Sequence, residues 1–262
     1  MHAEFGLKRE RNNNLFYDEW KNDSGPFHFH SQIELYFVDE GEMEVAIENL
    51  STTLYAGEMS IALSFVPHGY YTPKSSSSGA LIIPTMICEE FINETKDKHV
   101  INPFITDKET VAKIRWYARE LTRDGINKIE RDGYVGVILG IIMDVLRFER
   151  VEEPLDSSFS SRLLFYVNEN YTSDLSLGSI AAHFGYSESY VSHYFKARFN
   201  VTFNKYVRLI KLKRAVTLMK DRKNSITYCA MESGFSSVRS FYRAFSDEFR
   251  CTPKEYIEQN IP

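Results

Sequence analysis

Cysteine is scarce in this 262-residue chain. Its three cysteines, Cys88, Cys229 and Cys251, are an odd, scattered set with no C-x-x-C spacing. That excludes a disulfide framework, a cysteine zinc site and a dithiol redox centre, and leaves three small core residues. Long apolar runs are missing as well. The longest, residues 133–146, is broken by Asp144 and falls short of the roughly 20 residues that a membrane helix needs. No charged-then-apolar leader follows Met1, so the expectation is a cytoplasmic protein with no membrane partner. G-x-S-x-G, the Walker glycine loop, G-x-G-x-x-G and H-E-x-x-H are all absent. Nucleophilic hydrolysis and nucleotide chemistry therefore lack their usual local signatures.

What is present is the composition of a globular protein, 43% hydrophobic and 26% charged, with length enough for two domains. The net charge of −5 hides a division. Residues 158–262 carry 15 Lys and Arg against 9 Asp and Glu, a balance of +6, while the remainder carries 16 against 27, or −11. A basic part joined to an acidic part suggests one half that meets a polyanion and another with a different task.

Residues 1 to about 85 are rich in Phe, Tyr, Ile and Val in short alternating runs. Residues 33–38 and 43–47, divided by Asp39-Glu40-Gly41-Glu42, predict a hairpin inside an all-β module. Gly57, Pro67, Gly69 and Pro73 punctuate short strands, and the serines at 75–78 predict an exposed flexible loop. From about Asp107 the period becomes helical: Ile114, Tyr117, Ala118 and Leu121 form one stripe, and Val137, Ile138, Ile141, Ile142, Val145 and Leu146 a wider one. Both stripes need a partner surface, and the second is the candidate for a homodimer contact. Glu152-Glu153-Pro154 and Asp156-Ser157-Ser158 read as a linker.

The last part repeats itself. Ala181-Ala182-His183-Phe184-Gly185-Tyr186-Ser187 aligns with Ala230-Met231-Glu232-Ser233-Gly234-Phe235-Ser236 at an offset of 49, and beyond the turn Phe195, Phe199, Thr202 and Tyr206 align with Phe245, Phe249, Thr252 and Tyr256 at 50. Each copy reads as a short helix, a glycine turn and a second helix. Ser176 and Ser187 are the expected caps in the first copy, Ser236 in the second, and Gly185 and Gly234 supply the left-handed backbone. Val191, Phe195 and Phe199 in one copy, and Phe241, Phe245 and Phe249 in the other, point inward. This pattern predicts two helix-turn-helix motifs, at about 176–199 and 225–249. Thr252-Pro253-x-Glu255 adds a capping box with proline at the first helical position.

Residues 234–245 (Gly-Phe-Ser-Ser-Val-Arg-Ser-Phe-Tyr-Arg-Ala-Phe), followed by Thr252-Pro253-Lys254-Glu255-Tyr256, resemble the signature of the AraC/XylS family of bacterial transcription regulators. The resemblance covers about residues 160–259, and Arg250-Cys251 stands where the family usually has a glycine. It implies binding to double-stranded promoter DNA, with Ser189, Ser192, His193 and Lys196 on one recognition helix and Arg239, Ser240, Tyr242 and Arg243 on the other. Arginine can take both acceptors of a guanine, so the second helix is expected to carry more guanine readout. Lys196, Lys211, Lys213 and Arg214 are read as phosphate-positioning groups.

The N-terminal half fits H-x-H-x(3)-E-x(6)-G at His28, His30, Glu34 and Gly41, with His68 downstream. This resembles the cupin jelly roll that the AraC/XylS family uses as its effector domain. His28 and His30 alternate on one strand and so face one side. With Glu34 and His68 they offer three nitrogens and one oxygen, suited to iron, manganese, nickel or zinc. Contact with an organic effector and hydrogen bonding within the fold are the other uses open to them. The expectation is no cofactor, and a small-molecule effector, a sugar included, met by His28, His30, Glu34, Tyr36 and His68 beside Phe27, Phe29 and Phe65.

The expected architecture is multidomain α+β: a cupin-like effector-binding β-barrel at 1–100, a helical dimerisation and linker segment at 101–157, and an all-α tandem helix-turn-helix domain at 158–262. The expected function is a non-enzymatic one-component transcription regulator, with RNA polymerase a further partner. The alternative is a metal-dependent cupin enzyme, a dioxygenase or isomerase, carrying an accessory helical domain.

Overall fold

A computed structural model of the chain describes residues 4–5, 14–95, 98–150, 156–173, 175–199 and 201–260. It divides into two units, Met1–Leu163 and Leu164–Pro262.

The first unit is built on strands β1 (Glu4–Phe5), β2 (Phe16–Lys21), β3 (Gly25–Phe29), β4 (Ile33–Ile47), β5 (Leu50–Tyr55), β6 (Glu58–Ala62), β7 (His68–Tyr71), β8 (Ser76–Ile83), β9 (Lys98–Val100), β10 (Phe104–Ile105) and β11 (Phe148–Arg150). All pairings are antiparallel except β1 with β3. The 15-residue β4 organises them. Its first half pairs with β6 and β8, its second half with β5 and β7, so two sheets share one strand.

The closed barrel is corrected to an open ladder: among the described strands no pairing joins the outer ones. The expected hairpin at 39–42 is corrected too. A register shift between Val38 and Glu40 and the positive φ of Gly41 (+75°) bend β4 without reversing it, and the two-residue reversal comes at Glu48-Asn49, between the paired Ile47 and Leu50. A Cβ at Gly41 would overlap the Ser75 carbonyl, so the bend requires glycine.

Alternation along β4 explains why both of its faces are apolar. Tyr36, Val38, Val45 and Ile47 pack with Leu54, Tyr70, Ala80 and Ile82 between the sheets. Ile33, Leu35 and Phe37 point the other way, into a core shared with helices α2 (Lys108–Glu120) and α3 (Lys128–Val145), which follow the short α1 (Glu89–Thr95). The helical segment is thus one layer of the β unit. The serines expected in a loop begin β8 instead: Ser76 and Ser78 are buried, and Ser78 Oγ lies 2.9 Å from the Tyr36 hydroxyl.

One buried cation pins α2 to the sheet. The Arg115 guanidinium lies 4.9 Å from the Tyr17 ring centroid and 4.8 Å from that of Phe37. It donates to Glu19 at 3.1 Å and to Asp39. Gly79 leaves the room, since a Cβ there would meet the guanidinium at 2.5 Å.

Helix α4 (Asp156–Asn170) carries the division between the units. Asp156-Ser157-Ser158 is therefore its first turn, not linker, while Glu152-Glu153-Pro154 lies outside the described residues. The second unit continues through α5 (Leu177–Phe184), α6 (Glu188–Phe199), α7 (Phe203–Met219), α8 (Ile226–Glu232), α9 (Val238–Phe249) and α10 (Pro253–Asn260). No helix among the described residues is long and apolar enough to cross a membrane.

Candidate nucleic-acid interface and histidine cluster

Helices α5–α6 and α8–α9 are the two repeat copies. In the first, the Ser176 hydroxyl accepts from Ser179 N at 3.1 Å and Gly185 ends α5 in the left-handed region at φ +73°. The Ser187 hydroxyl then accepts from Tyr190 N at 3.2 Å. In the second, Ser225 caps α8 and Gly234 has φ +80°. The cap of α9 is Ser237, whose hydroxyl accepts from Ser240 N at 3.1 Å. Ser236 was expected there, so the register moves by one: Ser187 and Ser237 are equivalent at offset 50, and Ser236 is the extra residue, held in the turn. The capping box at Thr252 and Glu255 closes in both directions, at 2.7 and 3.3 Å.

Val191, Phe195 and Phe199 on α6 are buried, as are Phe241 and Phe245 on α9, so each recognition helix rests on an aromatic base. Ser189, Ser192, His193 and Lys196 are exposed, as are Arg239, Tyr242 and Arg243; Ser240 is half-buried. His193 holds its Nδ1 against its own helix, 2.8 Å from the Ser189 carbonyl.

Arg239, Ser240 and Arg243 line an open groove of about 900 Å³ with Asn204, Arg208 and Lys211 of α7. Ser189, Ser192, His193, Lys196 and Tyr242 do not line it. Arg208 was missed by sequence reasoning; the available signal was its spacing of four from Asn204 and three from Lys211, which puts all three on one face. Lys211, expected to position phosphate, donates to the Gly234 carbonyl at 2.6 Å and ties α7 to the second turn.

In the first unit His28 (β3), His30, Glu34 (β4) and His68 (β7) come together, with their ligating atoms within 4.8 Å of one another. His28 faces His68 across the β3–β7 pairing. Glu34 pairs with Ala62 and Ile82 in the other sheet, so the cluster spans the space between sheets. His30 Nε2 lies 3.0 Å from Glu34 Oε2, and His68 Nε2 3.5 Å from the same oxygen. Burial by itself pushes the Glu34 carboxyl up; the two facing imidazoles outweigh it and hold the group well below the usual carboxylate range.

Tyr36, two residues beyond Glu34, stacks on Tyr70 at 3.8 Å, and its hydroxyl meets Asp23 at 3.0 Å and Ser78 at 2.9 Å. Burial pushes that phenol up. Phe29, Tyr36 and Phe65 are core residues. Phe27 borders an open groove of about 490 Å³ with Glu44, Thr53 and Tyr71; Glu44 and Tyr71 are exposed where the neighbouring Val45 and Tyr70 are buried, which puts this groove on the outer face of the sheet.

Residues 180–259 match a family described as a helix-turn-helix domain. The chain is 22% identical over 249 residues to the melibiose operon regulatory protein of Escherichia coli (strain K12), covering 87% of this chain and 82% of that protein. It is 23% identical over 231 residues to an uncharacterized HTH-type transcriptional regulator of Staphylococcus aureus (strain COL), covering 84% of this chain and 30% of that protein. Among solved structures, ToxT from Vibrio cholerae is similar over 93% of this chain and 98% of its own, at TM-score 0.45 and 13% identity. The AraC-like transcriptional activator CuxR is similar over 83% and 78%, at TM-score 0.41 and 15% identity.

Proposed function

We propose that the chain is a member of the AraC/XylS family of DNA-binding transcription regulators, a reading supported by its helix-turn-helix match and its likeness to the melibiose operon regulatory protein, and that it is a cytoplasmic, effector-responsive, homodimeric regulator that reads promoter DNA with both recognition helices. The observation that carries the reading is the pairing of two equivalent motifs, each with an aromatic base and an exposed polar face. In this reading α6 and α9 enter successive major-groove faces about 34 Å apart. Arg239 and Arg243 make guanine contacts and Arg208 meets phosphate across the shared groove. The two sheets form a cupin-like sensory unit, whose effector is met by His28, His30, Glu34, Tyr36 and His68. The relative named for a melibiose operon supports a sugar or related metabolite as that effector. Binding regulates when the effector favours one of two arrangements of the protein, with RNA polymerase as the responding partner.

The dimer contact is assigned to the exposed face of α3. Ile138 and Ile142 are spent on the sheet core, but Val137 is 41% exposed, and a Cβ at Gly133, Gly136 or Gly140 would meet nothing within 4 Å. Such a face suits close approach of a second copy of α3. Val137→Asp is expected to convert dimer to monomer by mass in solution; an unchanged dimer removes the assignment.

The test of the main reading is selection of bound duplexes from a random-sequence pool, followed by fluorescence anisotropy on the enriched site. The expected site has two conserved blocks about 10 base pairs apart, and its affinity falls steeply with salt. Specific affinity is expected to fall by about 100-fold in the Arg239→Ala/Arg243→Ala protein. Failure to enrich any sequence overturns the reading.

A further inference from the structure

The outer face of the first unit carries a groove that core packing does not account for. On the second half of β4, Glu44 lies between Thr53 of β5 and Tyr71 of β7, and Ala46 lies between Ser51 and Gly69. Directly paired residues hold their Cβ atoms ~4.5–5.5 Å apart on one face. Ala46 and Gly69 therefore make a low floor beside the taller row of Thr53, Glu44 and Tyr71. Phe27 borders the floor from β3. Between the pairs Gly25 with Tyr70 and His28 with His68 the register shifts, so β3 holds one residue more than β7 and bends there. A Cβ at Gly69 would stand 3.1 Å from Phe27 Cα, so glycine lets the bent strand come close. The result is the open groove of about 490 Å³.

The chemistry of this groove has one sign. No Lys, Arg or His is among the described residues that line it. Glu42, two residues earlier on the same face, is paired with Lys74 at 3.0 Å; Glu44 is exposed and makes no ion pair with any described residue. Tyr71 is 56% exposed beside a Tyr70 that is 5% exposed, so its ring is offered to solvent. The face of an aromatic ring is its negative part and attracts a cation. Residues 1–157 carry 16 Lys and Arg against 27 Asp and Glu, a balance that draws cations and repels phosphates and carboxylates. A primary ammonium is strongly hydrated and brings three N–H donors, more than one carboxylate satisfies. A quaternary ammonium needs no hydrogen-bond acceptor, and its methyl groups bury against rings and small side chains.

We propose that this groove binds a small quaternary ammonium ion, with its charge held by the Glu44 carboxylate and the rings of Phe27 and Tyr71, and its methyl groups over Ala46 and Gly69. The site lies on the outer face of the sheet, apart from the side chains between the sheets to which the effector is assigned. Its failure leaves both that assignment and the DNA reading intact.

The test is calorimetric titration of the full-length protein with tetramethylammonium, with choline, and with 3,3-dimethylbutan-1-ol, which has the shape of choline without the charge. The expected result is saturable binding of both ions at one site per chain, with choline at least about tenfold tighter than its neutral counterpart. Glu44→Gln is expected to weaken choline binding about fivefold, and Tyr71→Ala about tenfold. Tyr71→Phe keeps the ring and stays within about twofold, and Tyr55→Ala, exposed but outside the groove, leaves binding unchanged. No saturable binding of either ion up to about 10 mM overturns the proposal. So does equal affinity for choline and the neutral alcohol, or unchanged affinity in Glu44→Gln, whose exposed side chain can be replaced without disturbing the core. Galactose that binds the parent protein and not Tyr71→Ala, with choline inert, would overturn it in favour of a saccharide site.

Discussion

The first helix-turn-helix copy turns at Gly185 in open space, while the second turns at Gly234 against its neighbours. A Cβ at 185 would meet nothing within 4 Å, but one at 234 would lie 2.9 Å from Thr172 Cα and 3.3 Å from Lys211 Cε. Both glycines have nearly the same left-handed φ, +73° and +80°. The dihedral requirement is therefore common to the copies, and the packing requirement belongs to the second alone. The exposed faces diverge in parallel. α6 carries serines, His193 and two rings of a stacked ladder that starts at Tyr186 in the preceding turn, Tyr186–Tyr190 at 4.7 Å and Tyr190–Tyr194 at 5.9 Å; α9 carries two arginines beside Arg208. A repeated framework is held by caps, turns and buried aromatics, and its surface is left free to specialise.

The strongest challenge to that division is a comparison of paired variants on the enriched DNA site. Each bidentate arginine contributes ~1–3 kcal/mol of base discrimination, so Arg239→Ala/Arg243→Ala is expected to lower specific affinity by about 100-fold. Ser192→Ala/His193→Ala removes weaker contacts and is expected to cost less than about tenfold under the same salt. Equal losses would show that the copies share the readout evenly.

The same asymmetry bears on what the sequence made legible. Glycine turns, serine caps and a four-residue aromatic period are local signals, so both motifs could be read along the chain. The Ser236/Ser237 ambiguity arose because two serines adjoin at the point where the offset changes, and geometry alone decides which hydroxyl reaches Ser240 N. The bend of β4 looked like a hairpin because charged residues at 39–42 report solvent, and a strand leaving one sheet for another meets solvent just as a reversal does. Ser76 and Ser78 looked like loop residues because composition does not register partners such as the Tyr36 hydroxyl. The alternation of His28 and His30 was visible, but the arrival of His68 beside them depends on β3 pairing with β7, a long-range choice that no local pattern encodes.

Stability separates the two turns more finely. Forcing an L-residue into the left-handed region costs ~1–2 kcal/mol, so Gly185→Ala is expected to destabilise by about 1 kcal/mol. Gly234→Ala meets that cost and a backbone contact that cannot swing away, so its loss is expected to be about 3 kcal/mol. Urea unfolding of the two proteins decides it. Equal midpoints would mean that the Thr172 backbone and Lys211 yield readily, and that the second turn is no more constrained than the first.

The smallest effect concerns the far end of α9. Arg250 closes that helix in the left-handed region at φ +60°, the conformation for which the chain uses glycine at 185 and 234. Its side chain is exposed, so replacement removes backbone strain without opening a cavity. Against the gain stand the greater unfolded-state freedom of glycine and the loss of a cation at a helix C-terminus, worth ~0.3–1 kcal/mol. The net expectation for Arg250→Gly is a stabilisation of about 0.5 kcal/mol, read as a higher urea midpoint at unchanged slope, with DNA affinity within about twofold of the parent because Arg250 is absent from the groove. A lower midpoint would show that the arginine's interaction with the helix end exceeds the strain of its backbone, and that this end of the second copy is tuned by charge where the two turns are tuned by shape.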